Sequence, residues 1–419
     1  MKIENLRNKK ILILGLAREG IDTLVFLQNK FPDQKIGIAD KNEKIELDNP
    51  KNTILHLGDD YLKHINDYDV IIKSPGVSLN LIQPYLKKNQ IVTSQADIFL
   101  SNCKGLVIGI TGTKGKSTTS TLIYKILKAK GLKSFLVGNI GKPALSYLLK
   151  DQEDRIYIYE LSSFQLETIT KGPQVAIILN FFKDHLDQHK NLEEYFNAKK
   201  KITSLHDNDF LIFNSKDPQV KKMALGSKAQ KIPFDPNKDR LKVKNKLIIS
   251  GEPIAIIGEM FGVPKNLIIS EINKFKPLKH RLEYVGKYKG IEFYNDSAAT
   301  IPEAAISAID KLGQKLDTII VGGVNKGFST KELSEAILNS NIRNVILFPE
   351  TGKQIEEDIL KSKKKVNLFN ANDMKEAVKI CFSQTKKEGI CLLSPAASSF
   401  NMFKSYKQRG NLFKRNARK

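Results

Sequence analysis

Three cysteines in 419 residues, Cys103, Cys381 and Cys391, are too few and too far apart for a disulfide framework or a structural zinc site. No apolar run approaches a membrane span, so no stable membrane insertion is expected. The opening residues show no charged-then-apolar secretion signal, and internal repeats and low-complexity tracts are missing. These absences lead to the expectation of a reduced, cytoplasmic protein. Acidic residues are in deficit, 45 against 68 Lys and Arg, leaving a net charge of +23. Such an excess can attract nucleic acid or an anionic membrane. Here the basic residues are scattered, as at 362–365 and 414–419, with few aromatics between them, so no nucleic-acid groove is expected. A lysine-rich solvent face that favours polyanionic small substrates is the better reading. With 41% apolar residues the chain should fold throughout, and its length predicts two or three domains.

What is present centres on Leu106–Thr119. An apolar run opens it, as a buried strand would. A small-residue turn of Gly112, Thr113, Lys114 and Gly115 comes next. Lys116, Ser117 and Thr118 then lead into Leu122, Ile123, Ile126 and Leu127 at helical spacing. Strand, glycine turn and helix start make a phosphate cradle. The glycines admit an anion to the backbone N–H groups, Lys116 adds a mobile positive charge, and Ser117 is placed to hold the Mg2+ that travels with a nucleoside triphosphate. The common spacing asks for glycine where Ile110 stands, so Gly112 and Gly115 must make the turn. A bland basic loop is the alternative; the strand and helix on either side favour an ATP site.

Upstream, residues 10–98 read as a small parallel α/β unit. Lys10–Leu14 is a strand, Gly15, Leu16, Ala17, Arg18, Glu19 and Gly20 form a turn, and Ile21, Leu24, Val25 and Leu27 mark a helix. Lys35–Ala39 leads to Asp40, and Thr53–Leu57 and Asp69–Ile72 are further strands, the last running into Ser74-Pro75-Gly76-Val77. This is the arrangement of a dinucleotide-binding half. Ala17 occupies the place of the second fingerprint glycine. A nucleotide diphosphate at the helix start therefore suits the turn as well, Asp40 serves either ligand, and a purely structural turn stays open.

Downstream, Ser134–Val137, Arg155–Tyr159 and Gln174–Leu179 read as strands that end near Asn139, Glu160 and Asn180. Strand ends form the lip of a parallel sheet, where ligands gather. Signals over 201–275 are short; a hairpin is expected within Leu241–Ile257 and a helix from Gly262-Val263-Pro264. The pattern breaks at Phe275–Arg281. Strands at Glu283–Gly286, Ile291–Tyr294, Thr318–Val321, Val345–Phe348 and Gly389–Leu393 alternate with helices near 302–311, 330–339, 352–361 and 372–386, predicting another mostly parallel sheet.

Glu160 offers Mg2+ a hard oxygen ligand, or else supplies the acid of a helix start. His185 and His189, beside Asp184 and Asp187, read as a metal rim or as an exposed helix start. Lys199, in a Lys-Lys-Lys run, reads by itself as part of a solvated helix face. Arg281 suits a phosphate, Asp296 suits ribose hydroxyls, and Lys326 on its double-glycine loop suits a carboxylate or phosphate; ion pairs between domains are the other reading.

Together these segments resemble the ATP-dependent Mur ligase family of peptidoglycan precursor synthesis, within it the D-glutamate-adding branch, over nearly the whole chain. The likeness is carried by Thr111-Gly112-Thr113-Lys114-Gly115-Lys116-Ser117-Thr118, Glu160-Leu161-Ser162-Ser163-Phe164-Gln165-Leu166, Asn180 to His185, Tyr195 to Lys199, His280-Arg281-Leu282-Glu283, Asn295-Asp296-Ser297, Gly322-Gly323 and Ser394 to Ser399. It implies an α/β fold of three domains: Rossmann-like at 1–98, central P-loop ATPase-like at 99–278, and a Rossmann-like ligase domain at 279–419. It implies ATP, two Mg2+ ions, UDP-N-acetylmuramoyl-L-alanine and D-glutamate as ligands of a monomer. Catalysis would fall to Lys116, Glu160, His185 and a carbamylated Lys199. Gly112 through Thr118, with Arg281 and Asp296, would hold ATP; Ser117, Glu160, His185 and Lys199 would hold the metal ions. Gly15, Leu16, Ala17, Arg18, Asp40, Lys41, Ser74, Gly76 and Asn139 would surround the UDP-sugar, and Thr300, Lys326, Ser399 and Tyr406 would seat D-glutamate. The chain departs from the family in three places. It has no His-Asn-x-x-Asn segment over 240–275, it reads Ala298-Ala299-Thr300-Ile301 where Lys-Ala-Thr-Asn is usual, and Tyr406 stands where phenylalanine is common. A ligase for another amino acid and a non-catalytic nucleotide sensor are the rival readings.

Overall fold

The computed structural model describes residues 1–184, 188–238, 241, 251–324 and 329–419. The chain divides into two compact units, Met1–Lys274 and Phe275–Lys419. Among the described residues no helix is long and apolar enough to cross a membrane.

The first unit holds two parallel sheets. One comprises β1 (Ile11–Leu14), β2 (Ile36–Asp40), β3 (Thr53–Leu57), β4 (Val70–Lys73) and β5 (Ile91–Thr93), in the order β3-β2-β1-β4-β5. Its central strands are continuous apolar runs because both faces are covered. Ile11 and Ile13 pack with Phe26, Leu27 and Ile98 on one face, while Leu12 and Leu14 pack with Ile65, Tyr68 and Ile71 on the other. The second sheet comprises β6 (Leu106–Thr111), β7 (Ser134–Gly138), β8 (Ile156–Glu160), β9 (Val175–Ile178), β10 (Phe210–Asn214) and β11 (Gln230–Phe234), in the order β11-β10-β9-β6-β8-β7. β6 lies between β8 and β9, so the glycine turn leaving β6 emerges between the ends of those two strands.

The expected junction at 98/99 falls inside a helix, Gln95–Asn102. That helix ties the two sheets into one unit. Asp97 receives the N-terminal ammonium at 2.8 Å through one oxygen and the Thr170 amide at 2.7 Å through the other. The second junction lies at 274/275, where 278/279 was expected. The hairpin expected within Leu241–Ile257 is not formed over its described part, because Glu252–Met260 is a helix. Pro253 suits its first turn, and Ile254 through Gly258 are buried, which no half-exposed hairpin would require. Residues 242–250 lie outside the described residues.

The second unit is built on β12 (Glu283–Tyr288), β13 (Ile291–Asn295), β14 (Leu316–Gly323), β15 (Asn344–Glu350), β16 (Asn367–Asn370) and β17 (Ile390–Leu393), in the order β12-β13-β17-β14-β15-β16. β12 alone runs antiparallel, joined to β13 through Lys289 and Gly290, both at positive φ as a two-residue hairpin turn requires. Helices predicted in this region match Pro302–Leu312, Lys331–Asn339, Thr351–Leu360 and Met374–Gln384.

Candidate active site

The turn after β6 adopts the cradle expected of it. Gly112 has φ +151° and Gly115 φ +83°, which no side-chain-bearing residue takes without strain, so a glycine at position 110 is not needed. Gly115 caps the helix Lys116–Ala129, and Ser117 and Thr118 lie in its first turn with Ser117 buried. Lys116 Nζ lies over the turn, donating to Gly112 O at 2.7 Å and Thr113 O at 3.0 Å. Asn180, after β9, braces the loop by accepting from the Lys114 amide at 2.8 Å and donating to Lys114 O at 3.0 Å.

Glu160 ends β8 beside the cradle, in register with Ile110. It is fully buried and does not cap the following helix; Ser162 does, in a capping box with Gln165. Oε1 of Glu160 accepts from Asn139 Nδ2 at 2.8 Å, whereas Oε2 is buried without a hydrogen-bond partner among the described residues. A buried carboxylate oxygen left unpaired is costly in a dry interior and suits a hard cation.

Lys199 is not on a solvated helix face. Only 1% exposed, it donates to Gly112 O at 3.0 Å and lies 4.8 Å from the centre of the Tyr195 ring. Burial, reinforced by the charge of Lys116 and opposed by Asp184, holds its pKa well below the usual lysine range. His185, the fourth expected member of this rim, lies outside the described residues, as does Lys326 on the second unit.

A cavity of about 500 Å³ opens at the ends of β1, β2 and β4. Eight of the nine expected UDP-sugar residues line it: Gly15, Ala17, Arg18, Asp40, Lys41, Ser74, Gly76 and Asn139. Leu16, the ninth, is buried and donates its amide to Asp40 Oδ2 at 2.6 Å. Asp40 therefore shapes the turn as well as lining the cavity. Ser74 Oγ donates to Gly15 O at 2.5 Å, and Arg18 reaches Gly141 O at 2.8 Å. Through Asn139 the cavity is joined to Glu160 and the phosphate cradle.

Glu19, Lys73 and Glu167 were not singled out in the sequence, and His189, expected on a metal rim or an exposed helix start, is buried beside them. Glu19 lines the cavity and accepts from Gln165 Nε2 at 2.6 Å; burial lifts its pKa to about 7. Fully buried Lys73 meets Glu167 Oε2 at 3.2 Å, and Glu167 Oε1 lies 3.4 Å from His189 Nδ1. His189 Nε2 in turn meets Ser163 Oγ at 3.1 Å. Desolvation, the largest cause in each, lowers the Lys73 pKa and raises that of Glu167, against their mutual attraction. Lys73 precedes Ser74 in sequence, but nothing in an apolar strand announces that its last residue turns inward to an acid.

On the second unit, Asn295-Asp296-Ser297 and Ser394-Pro395 leave the ends of neighbouring β13 and β17. Asp296 accepts from the Leu282 amide at 2.9 Å and the Ser394 hydroxyl at 2.9 Å, and burial lifts its pKa to about 6. Arg281 is exposed and attracts Asp296 electrostatically. Thr300 is half-buried in the first of these loops, Ser399 is buried in the second, and Tyr406 opens the helix Tyr406–Ala417, its carbonyl accepting from Ser297 Oγ at 2.8 Å. Val324 and Ser398 exchange backbone hydrogen bonds at 3.0 and 3.2 Å, drawing the double-glycine end of β14 onto the same loops.

Residues 110–270 match the Mur ligase middle domain, and residues 280–397 the Mur ligase glutamate ligase domain. The UDP-N-acetylmuramoylalanine--D-glutamate ligase of Koribacter versatilis is 31% identical over 455 residues, covering 99% of this chain and 98% of its own. The protein of that name from Clostridium tetani is 32% identical over 447 residues, 97% of this chain and 96% of its own. The fold is shared with the crystal structure of UDP-N-acetylmuramate-alanine ligase from Thermotoga maritima, at a TM-score of 0.61 and 15% identity over 98% of this chain and 99% of that one. Relatives of this similarity, matched from end to end, establish that the chain belongs to the Mur ligase family.

Proposed function

We propose that the protein joins D-glutamate to UDP-N-acetylmuramoyl-L-alanine at the expense of ATP. The observation that carries the reading is the Asn139–Glu160 hydrogen bond of 2.8 Å, because it links the cavity assigned to the nucleotide sugar to the rim of the glycine turn assigned to ATP. A carboxylate donor and an anhydride must meet for an acyl phosphate to form, and this link supports assigning their binding to these two neighbouring regions.

The substrate carboxylate attacks the γ-phosphorus of ATP, giving an acyl phosphate and ADP. The amine of D-glutamate, unprotonated, then attacks the acyl carbon, and inorganic phosphate leaves as the amide forms. Lys116 and the loop amides offset the charge on the transferring group. Ser117, Glu160 and a carbamylated Lys199 are the residues that would hold Mg2+, with His185 as a further ligand. Bound there, the ion would neutralise the polyphosphate and polarise its oxygens. Arg281 and Asp296 are assigned to ATP, and Thr300, Lys326, Ser399 and Tyr406 to the amino acid. Ala298 and Ile301 favour one variant of this reading, in which the acceptor is a different amino acid.

The test incubates the protein with ATP, Mg2+, UDP-N-acetylmuramoyl-L-alanine and one amino acid at a time, following product mass and phosphate release together. Amide formation that depends on D-glutamate is expected. Turnover only with another acceptor would replace the assignment, and no turnover with any acceptor would favour a nucleotide sensor.

A further inference from the structure

The second unit buries a cation whose partners among the described residues are all neutral. Arg409, on the helix Tyr406–Ala417, has no exposed surface. Its Nε donates to Ser297 Oγ at 3.0 Å, Nη2 to Ser297 O at 2.9 Å, and both terminal nitrogens to Ala397 O at 3.1 Å. Among the described residues no carboxylate pairs with it. Desolvation alone pulls its pKa down to about 9, with no nearby acid opposing. Burying an unpaired charge is expensive, so a fold that keeps one does so against its own stability.

The place of this charge is specific. Ser297 and Ala397 belong to the loops leaving β13 and β17, which carry Thr300 and Ser399. Tyr406 begins the helix that bears the arginine. One guanidinium thus ties together the three segments assigned to the acceptor amino acid. Its positive potential also arises beside Ala298, where the family's usual lysine is missing. An acceptor with two carboxylates would supply the counter-charge that the protein withholds.

We propose that Arg409 is a positioning residue for the acceptor amino acid, locking the loops at 295–300 and 394–399 into one arrangement and supplying the positive potential that draws the acceptor's carboxylates to Thr300 and Ser399. The proposal rests on the ligase reading above and deepens it.

The experiment compares the full-length protein with Arg409→Lys and Arg409→Met, checking each fold by thermal unfolding. It measures KM for D-glutamate, KM for ATP, and the acyl phosphate trapped by hydroxylamine without amino acid. Arg409→Met is expected to raise KM for D-glutamate tenfold or more, with KM for ATP within twofold and trapping at the wild-type rate. Arg409→Lys, which keeps charge but loses the fork, should lie between, and added guanidinium ion should restore part of the Met variant's activity. A folded Met variant with wild-type KM for D-glutamate, or with every KM raised alike, would overturn the proposal. Should the Met variant fail to fold, the same KM comparison on the Lys variant decides. If wild type forms an amide only with another amino acid, the acceptor assignment fails, and Arg409 is judged by KM for that acceptor. A wild type without any amide product overturns both readings.

Discussion

Lys199 Nζ donates to the carbonyl of Gly112 at 3.0 Å, bringing a buried lysine to the edge of the glycine turn after β6. Two ammonium groups, Lys199 and Lys116, share that carbonyl. The burial of Lys199, reinforced by repulsion from Lys116 and opposed by Asp184, favours its neutral amine. A neutral amine is the form that takes up carbon dioxide, and the carbamate proposed for Lys199 would reverse the sign of the group beside Lys116.

Lys199→Ala is expected to lower turnover about 100-fold or more, the scale of losing one preorganised electrostatic contact in an active site. Acetate or formate should restore part of it by entering the vacated space. Phosphate release measures both, and a variant as active as wild type would remove Lys199 from the mechanism.

Glu160→Gln separates stability from metal binding. Oε2 of Glu160 is buried and has no hydrogen-bond partner among the described residues, so a neutral isostere that keeps Asn139 as neighbour should leave the unfolding temperature within about 4 °C, or raise it. The stabilisation by ATP with Mg2+ over ATP alone should disappear. Thermal shift assays read both, and retention of the Mg2+ effect would count against Glu160 as a ligand.

Glu19→Gln reports on the cavity wall through pH. The Glu19 carboxyl is lifted from 4.5 to about 7 by burial, with Asp22 adding and Gln165, Arg18 and Lys73 opposing. The folded state therefore holds this proton more tightly than the unfolded chain. The stability it contributes is complete below pH 4.5 and is lost as pH rises through about 7. Glutamine has no such loss, so the unfolding temperature of the variant should gain on wild type between about pH 5 and pH 8. A difference that stays flat over that range would mean Glu19 titrates normally.

Gly410→Ala tests the support of the second unit's loops. A Cβ there would lie 2.2 Å from His280 Nδ1 and 2.9 Å from Asn295 Oδ1, on the side where Asn295 Nδ2 and His280 Nδ1 meet at 3.0 Å. Urea unfolding should show a loss of about 1–3 kcal/mol, as for overpacked interiors. A change under about 0.5 kcal/mol would show that the helix shifts freely.

Strong local signals carried much of the reading. The run Leu106–Thr111 and the glycines at 112 and 115 specify a strand and a left-handed turn from chemistry available within a dozen residues. Elements held by distant partners were harder to read. β10, β11 and β16, and the helices at 192–200 and 218–225, carry no strong local signal, and the helix at 406–417 packs against β12 and β13, far away in sequence. Glu252–Met260, with apolar residues in succession, supports a helix or a hairpin until its neighbours are known.

Residue type and spacing by themselves determined the glycine turn between β6 and its helix, the alternation of strands and helices, and the family to which the chain belongs, because glycine freedom, apolar period and motif order act over short stretches. The tertiary structure alone decided that Lys199 is buried while Lys200 and Lys201 remain exposed, that Asn139 meets Glu160, and that Arg409 is enclosed among neutral oxygens. Those facts depend on which distant segments exclude water from a given side chain, and desolvation is a property of the packed neighbourhood.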